Sequence, residues 1–484
     1  MHNTLIIPIP VMLSTFQTGS MQSEKPPDPA PHTLKNIYNR GMFRQIKRIV
    51  PKQAINAFHY SEALAASFAY RNPSRHMIVI GIVGSKGKTT LANLLWAALS
   101  GDGSKVGLIG TANIRIGNDE QLNPYHMTMP GRHRLQKTLH TMRQANCRYA
   151  IMEVPSEGQA QWRHVGIAFD VLIFTNVTKE LMASHDYSLE KLHTHNQRVF
   201  QQVARQKSKL INGRVQPKIL IANADAEHFP QYFAHVADIR RSYSLTHKSN
   251  YHAKNIVTAA GSSSFVVNKH GYKIPLPGAV NVSNATGAIA AALELGKSPQ
   301  EIQKGLSSLT VIPGRMEQIN IHPRQKFTVV VDYAHEETGM EALMKTAADM
   351  RRKSTQRIIT LLGAEGGGRD EKKRPIMGHI AMSGSDFVIL SNVDPYRDNP
   401  DKIIADIAQG VEEAKGLRNH TYFAIPDRRE GIRKALSLAK PGDIVLITGK
   451  GSEQSIIIDG KKSAWDDRDV VREELSRLLK KPRA

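Results

Sequence analysis

The chain has 484 residues, 40% of them hydrophobic and 22% charged, the composition of an ordinary soluble protein with room for two or three domains. A single cysteine, Cys147, excludes an internal disulfide framework and a multi-cysteine zinc site and fits a reducing cytosol. No run approaches the roughly 18 apolar residues of a membrane span. The formal net charge of +22 reads either as a solvated basic surface or as attraction to polyanions: a nucleotide, a nucleotide-sugar, nucleic acid or an anionic membrane face. Lys and Arg are scattered without interleaved aromatics, so no nucleic-acid partner is expected.

The start, MHNTLIIPIPVML, is apolar but interrupted by two prolines and lacks a preceding cation. It reads as a poor signal peptide and a disordered extension, with Met21 or Met42 as other possible starts. QSEKPPDPAPH (22–32) is a Pro-rich linker, and 33–75 reads as basic and helical, most clearly in AINAFHYSEALAASFAYR. From Met77 strands and helices alternate. MIVIGIV is a continuous apolar run, as expected of a buried parallel strand, and it runs through a glycine loop into the helical KTTLANLLWAALS. There Leu91, Leu94, Leu95 and Ala98 fall on one helical face. KVGLIG, YAIMEV, VLIFTNV and KILIANA are further strands, and a second alternation runs through FTVVVDYAH, RIITLLGA, DFVILSNV, TYFAIP and DIVLITGKG. The expected fold is α/β: a short helical N-terminal segment (1–76), a P-loop-type central ATPase domain (77–312) and a Rossmann-like C-terminal α/β domain (313–484), both doubly wound and joined near VIPGRMEQ.

GIVGSKGKTT (81–90) carries the chemistry. A strand, a glycine turn and a helix N-terminus make an anion site, because free N–H groups and the helix dipole face the phosphates. Lys88 would set a charge on the β/γ-phosphates and Thr89 would reach the magnesium. The glycines depart from the usual Gly-x4-Gly-Lys-Ser/Thr pattern, since Ile82 stands where the first is required.

The offset spacing Gly-x-x-Gly-x-x-Gly-Lys-Thr-Thr resembles the ATP loop of the Mur ligase superfamily. TNV (175–177), NAD (223–225), PGAVNVSNATGAIAAA (277–292), PGRME (313–317), VDYAH (331–335), GGGRDEKKRPIMG (366–378), DP (394–395), GKGSE (449–453) and DDR (466–468) recur in that family's order. The nearest type is the UDP-N-acetylmuramoyl-tripeptide synthetase. The resemblance implies a cytoplasmic, monomeric ligase using ATP and Mg2+. It would turn the carboxylate of a nucleotide-sugar peptide precursor into an acyl phosphate, which the amine of a free amino acid attacks, in peptidoglycan biosynthesis.

It also implies site residues. Gly84, Ser85, Lys86, Gly87, Lys88, Thr89 and Thr90 would hold the nucleotide phosphates, Asn281 would lie near the adenine, and Glu153 would bind magnesium with Thr89. Arg315 and Asp332 would bring the C-terminal domain onto the nucleotide, with His335 on the phosphate side. Thr128, Ser156, Gln161 and Arg163 would contact the acceptor. Arg369 would bind the amino acid's carboxylate as a planar fork, with Asp394, Gly449 and Glu453 completing that pocket.

Three departures stand out. The motifs of the family's uridine-binding N-terminal domain are absent from residues 1–76. The selectivity motif Asp-Asn-Pro-Arg reads Val393-Asp394-Pro395-Tyr396, which disfavours a side chain ending in a carboxylate and leaves lysine, diaminopimelate or another amine-bearing residue open. Leu181 and Asn196 replace a metal-binding histidine and a lysine that is normally carbamylated, and Glu157 takes a position usually held by histidine, with His185, His193 and His195 nearby. Glu157, four residues after Glu153, is the candidate replacement ligand, since either a helix or a strand would put the two on one face. The competing readings are a non-catalytic nucleotide- or precursor-binding protein and a ligase for another acceptor, such as folate or an amino-acid polymer.

Overall fold

The computed structural model describes residues 51–125, 127–178, 185–259 and 261–480. The apolar start, the Pro-rich linker, the basic stretch 33–50 and Leu181 therefore lie outside the described residues. The chain divides into the units Met1–Ile55 and Asn56–Ala484, and the second carries both large sheets.

The first sheet has eleven strands. Its centre is parallel: Ile78–Val83 lies between Tyr149–Val154 and Val171–Phe174, followed outward by Val106–Ile109 on one side and by Ile219–Asn223 and Ile239–Ser244 on the other. The central strands are apolar at nearly every position because helices cover both faces, so neither side of the pleat meets water. One face packs on helices Lys88–Ser100 and Ala279–Glu294, the other on Arg132–Gln144 and Leu189–Arg205.

Both flanks are antiparallel, which the expected doubly wound sheet did not include. Asn113–Ile116 and Asp119–Leu122 form a hairpin at one edge, and Tyr251–Ala259, Ser262–Val267 and His270–Ile274 form a meander at the other. The meander strands alternate buried and exposed positions, a weaker signal than a continuous apolar run. Helix Lys88–Ser100 differs from its amphipathic reading: Ala92, Asn93, Ala97 and Leu99 are buried along with the expected face. The second covering helix, Pro299–Ser308, is the reason. Gly305 lets it approach so closely that a Cβ there would lie 2.0 Å from the Ala97 carbonyl oxygen.

The second sheet has six strands in the order Glu317–Gln318, Thr328–Val331, Ile444–Ile447, Ile358–Leu362, Phe387–Leu390 and Tyr422–Ala424. All pairs are parallel except the first. Helices Glu337–Met350, Lys373–Gly384 and Pro400–Glu413 cover one face and Arg428–Leu438 and Asp467–Lys480 the other. This is the doubly wound arrangement the alternation predicts, and it sets the functional loops at the carboxyl ends of the strands.

A buried lysine secures the amino ends of the first sheet. Lys209 Nζ donates to the carbonyls of Ser74 (2.8 Å), Met77 (2.6 Å) and Ala168 (2.9 Å) and pairs with Asp170 at 2.5 Å. Burial pulls its ammonium down to about 8, while the pair with Asp170 opposes that shift.

Candidate active site

At the carboxyl end of Ile78–Val83 the chain turns through a loop that side chains would obstruct. A Cβ on Gly84 (φ +140°) would sit 2.1 Å from Thr175 Oγ1, and one on Gly87 (φ +82°) 2.3 Å from Asn284 Oδ1. Both positions thus need glycine for conformation and for space. The loop rests on Thr175 and Asn176: the Ser85 N–H donates to the Asn176 carbonyl (2.8 Å) and the Lys86 N–H to Asn176 Oδ1 (3.0 Å). Thr175 Oγ1 returns a bond to the Lys86 carbonyl (2.8 Å), and the Thr178 N–H donates to Ser85 Oγ (3.1 Å). Lys88, Thr89 and Thr90 open the following helix, whose first N–H groups have no intrahelical acceptor. Lys88 Nζ lies over the loop, donating to the carbonyls of Gly84 (2.7 Å) and Ser85 (2.8 Å).

Beside the loop is a cluster of oxygen ligands. Glu153, buried near the end of Tyr149–Val154, accepts from Thr89 Oγ1 (3.0 Å), the Thr111 N–H (2.7 Å) and Thr111 Oγ1 (3.0 Å). Thr111 Oγ1 also bonds Thr128 Oγ1 at 2.9 Å, which joins an expected acceptor contact to the expected metal ligand. The strand ends at Val154, and a short helix, Ser156–Ala160, starts after Pro155. Glu153 and Glu157 therefore belong to different elements, and the shared face expected of a continuous helix or strand is not formed. Glu157 instead lies within electrostatic range of Arg163 and Arg369.

The rest of the expected acceptor set follows. Arg163 donates to Gln161 Oε1 (2.7 Å) and to the Met129 carbonyl. Ser156 Oγ bonds His185 Nε2 (2.9 Å), and His185 Nδ1 bonds His195 Nδ1 (2.8 Å). Burial and the neighbouring Arg198 and His185 pull His195 down to about 4, so that imidazole is neutral. Asn196 is buried, and its Oδ1 accepts from Gln159 Nε2 at 3.4 Å. Asn281, in the first turn of Ala279–Glu294, donates to the Pro277 carbonyl at 2.7 Å.

A second group gathers at the strand ends of the second sheet. Arg369 pairs with Glu365 at 3.1 Å, and that carboxylate holds the guanidinium above its usual range. Lys450, fully buried, bridges Asp394 (3.0 Å) and Glu453 (2.9 Å). Asp394 also accepts the Ile457 N–H (2.7 Å), and Glu453 accepts from Tyr333 OH (3.2 Å). Burial, then the nearby Glu365 and Asp394, raise the Glu453 carboxyl against the pull of Lys450. Gly449 (φ +106°) packs against Val393, where a Cβ would lie 2.9 Å from Val393 Cγ2. Tyr396 closes over Gly367.

The two groups meet. Lys86 of the loop pairs with Glu336 at 3.2 Å, and Gly278 approaches Thr346 so closely that a Cβ would lie 2.6 Å from its hydroxyl. Arg315 stacks over the Tyr333 ring at 4.3 Å, and Asp332 accepts the Met316 N–H at 2.8 Å. Burial raises the Asp332 carboxyl, opposed by Arg315. His335 Nδ1 is 2.7 Å from the Tyr333 carbonyl, which only accepts, so Nδ1 carries the proton. Burial, with Lys86 and Lys373 nearby, pulls this imidazole down to about 4. It is neutral, and Nε2 is an acceptor.

Sequence reasoning missed four residues here. Thr111, on a loop, and Asn284, in helix Ala279–Glu294, touch the expected site from segments remote in sequence. Lys450 lies inside the quoted GKGSE motif, where its charge was the available signal. Arg428 carried none: it is bidentate to Asp467 (2.8 and 2.6 Å) and donates to the carbonyls of Asn392 (3.1 Å) and Thr448 (2.6 Å).

The chain belongs to the Mur ligase family of ligases, with the family's middle and C-terminal α/β domains. The Mur ligase middle domain matches residues 82–292, and the Mur ligase glutamate ligase domain matches 314–451. Within the family the chain is of the tripeptide-synthetase type. It is 33% identical over 420 residues to UDP-N-acetylmuramoyl-L-alanyl-D-glutamate–2,6-diaminopimelate ligase 1 of Clostridium acetobutylicum, covering 86% of this chain and 81% of that one. It is 34% identical over 423 residues to the UDP-N-acetylmuramyl-tripeptide synthetase of Roseiflexus sp. (strain RS-1), with 86% and 81% covered. A solved UDP-N-acetylmuramoyl-L-alanyl-D-glutamate–2,6-diaminopimelate ligase superposes with a TM-score of 0.56 at 27% identity over 84% of this chain and 79% of that one. The folylpolyglutamate synthase of Mycobacterium tuberculosis shares the fold, with a TM-score of 0.61 at 15% identity over 87% of this chain and 95% of that one.

Proposed function

We propose that this protein is an ATP-dependent ligase that joins a free amino acid to the carboxylate of a UDP-muramoyl-peptide-type precursor through an acyl phosphate. It would act as a monomer in the cytoplasm, with 77–312 as the ATP-binding domain and 313–484 as the domain that brings in the amino acid. The observation that carries the reading is the junction itself: the phosphate loop and the Glu153 cluster on one side, the Arg369–Glu365 and Lys450 network on the other, linked by the Lys86–Glu336 pair.

Gly84 to Thr90 would wrap the phosphates, with Lys88 leaving the loop carbonyls for the γ-phosphate. The donors around Glu153 fit magnesium, since Thr89, Thr111 and Glu153 are all hard oxygens. No group of three or more His, Cys, Asp or Glu able to hold a metal occurs among the described residues. That fits an ion held by one carboxylate, a hydroxyl, water and substrate phosphates. Magnesium there would neutralise charge on the transferring phosphoryl group. Glu157 would supply a further carboxylate near the acceptor. Arg315 and Asp332 would close onto the nucleotide beside Asn281. His335, with an accepting Nε2, suits a hydroxyl or amine donor better than a phosphate oxygen. Thr128, Ser156, Gln161 and Arg163 would orient the acceptor carboxylate. Arg369 would fork onto the amino acid's carboxylate, with Asp394, Gly449 and Glu453 around its amine and side chain.

Asn196, a buried neutral amide, favours a second reading, a non-catalytic nucleotide- or precursor-binding protein. Phosphate release from ATP and magnesium, measured over a panel of acceptors and amino acids, separates the two. Release that requires both a UDP-muramoyl dipeptide and an amino acid supports the ligase. Release with folate or a peptide polymer instead moves the acceptor. Nucleotide binding without release under any pairing supports the binding protein.

A further inference from the structure

The net charge of +22 is not consumed by the site. Much of it gathers at the opposite edge of the first sheet. The phosphate loop follows the carboxyl end of Ile78–Val83, so the amino ends of the parallel strands form the far rim. Exposed cations precede these strands one after another: Arg75 before Ile78, Lys105 before Val106, Arg148 before Tyr149, Lys207 and Arg214 before Ile219. Helix Arg132–Gln144 packs beside the turn Pro73–His76, and its last turn brings Arg143 within electrostatic range of His76.

Acidic residues are scarce on this rim. Residues 63–76, 123–148 and 203–218 contain no Asp or Glu. Asp170 and Asp102 are held in pairs with Lys209 and Lys297; Glu301, close to Asp102, and the exposed Asp238 before Ile239 are further acids on this side. The field of these cations is felt locally: burial, then Arg143 and Lys209, lower the His76 imidazole, and Arg75 adds to the lowering of Lys209.

Apolar side chains stand among these charges. Phe68 is 80% exposed, three residues before Arg71, at the end of the helix that leads into the turn. Leu210 (67%) and Val215 (69%) pair across a two-stranded hairpin flanked by Lys207 and Arg214. Isolated apolar side chains projecting from a cationic rim suit insertion among lipid headgroups, where a nucleic acid would call for stacked aromatics.

We propose that this rim docks the protein on an anionic lipid surface, with Phe68, Leu210 and Val215 entering the headgroup layer and the surrounding cations facing lipid phosphates. The phosphate loop, at the other edge of the sheet, stays open to nucleotide. Docking would hold a soluble ligase beside a membrane without a spanning helix, and no helix among the described residues is long and apolar enough to span.

The test is flotation of the full chain with vesicles of phosphatidylcholine alone and of phosphatidylcholine mixed with phosphatidylglycerol. Binding is expected only to the mixed vesicles and should weaken as salt is raised. Each Lys or Arg near such a surface strengthens binding about fivefold, so Lys105→Glu with Lys207→Glu and Arg214→Glu should weaken it by at least about a hundredfold. Phe68→Ser with Leu210→Ser should weaken it by roughly tenfold. Both variants should keep the wild-type melting temperature and ATP turnover. Equal binding to both vesicle types, undiminished binding by the charge-reversed variant, or displacement of the protein from mixed vesicles by RNA at matched salt would overturn the proposal.

Discussion

Around Gly84–Thr90 the molecule offers mostly backbone: loop amides, carbonyls under Lys88 and two glycines with no room for a side chain. Around Arg369, Asp394 and Glu453 it offers acidic and basic side chains paired with one another. The difference lies in where the specificity is stored. A backbone cradle recognises any phosphate chain and tolerates change in every residue except those that shape it. A buried charge network is costly to leave incomplete, so each member answers for the others.

Lys88→Ala should sharpen the contrast most. Its ammonium rests on loop carbonyls, so its loss should reduce ATP turnover by about a thousandfold while the melting temperature stays near wild type. Normal turnover in a folded variant would remove the phosphate-loop assignment. Lys450→Met probes the other region. It leaves Asp394 and Glu453 buried without their shared cation, and the expected loss is about 3–5 kcal/mol of unfolding free energy, read from the denaturant midpoint. A loss under about 1 kcal/mol would mean that the network is hydrated and the comparison fails.

A smaller effect concerns acid. His164 is buried, and burial with Arg198 nearby pulls its imidazole down to about 3 from an ordinary value of 6.5. Between those values the unfolded chain takes up a proton that the folded chain refuses. Stability is thus full above pH 6.5 and falls as pH drops toward 3, at about 1.4 kcal/mol per pH unit from this group. His164→Phe should flatten the melting-temperature profile across that window, and an unaltered slope would assign acid lability elsewhere. The smallest expected effect is none at all. With a neutral amide at Asn196 there is no lysine to carbamylate, so added bicarbonate should leave turnover unchanged; stimulation would mean that another lysine supplies the carbamate.

The same contrast separates what could be read from the chain. The phosphate loop was legible because its parts are contiguous: an apolar strand, spaced glycines and Lys-Thr-Thr at a helix start are ten residues of local geometry. The alternation of apolar strands with helices likewise placed the fully buried parallel strands of both sheets, since burial on both faces writes a continuous run. It did not place the parallel strand Ile239–Ser244, which is only partly buried and carries two arginines. The antiparallel flanks were not anticipated, because half-buried strands carry only a period of two.

Tertiary structure alone decided the pairings. Nothing in the local sequence of Thr111 ties it to Glu153, 42 residues on, nor Asn284 to Gly87. Arg428 supports the loops at Asn392 and Thr448 only because the second sheet aligns three strand ends. Glu157 was set beside Glu153 by spacing, yet the strand ends at Val154 and Glu157 belongs to the helix that follows Pro155. Local pattern determined the elements and the backbone cradle, because propensity and periodicity act over a few residues. Which charges meet was left to packing, because an ion pair depends on distances through space that the chain order does not encode.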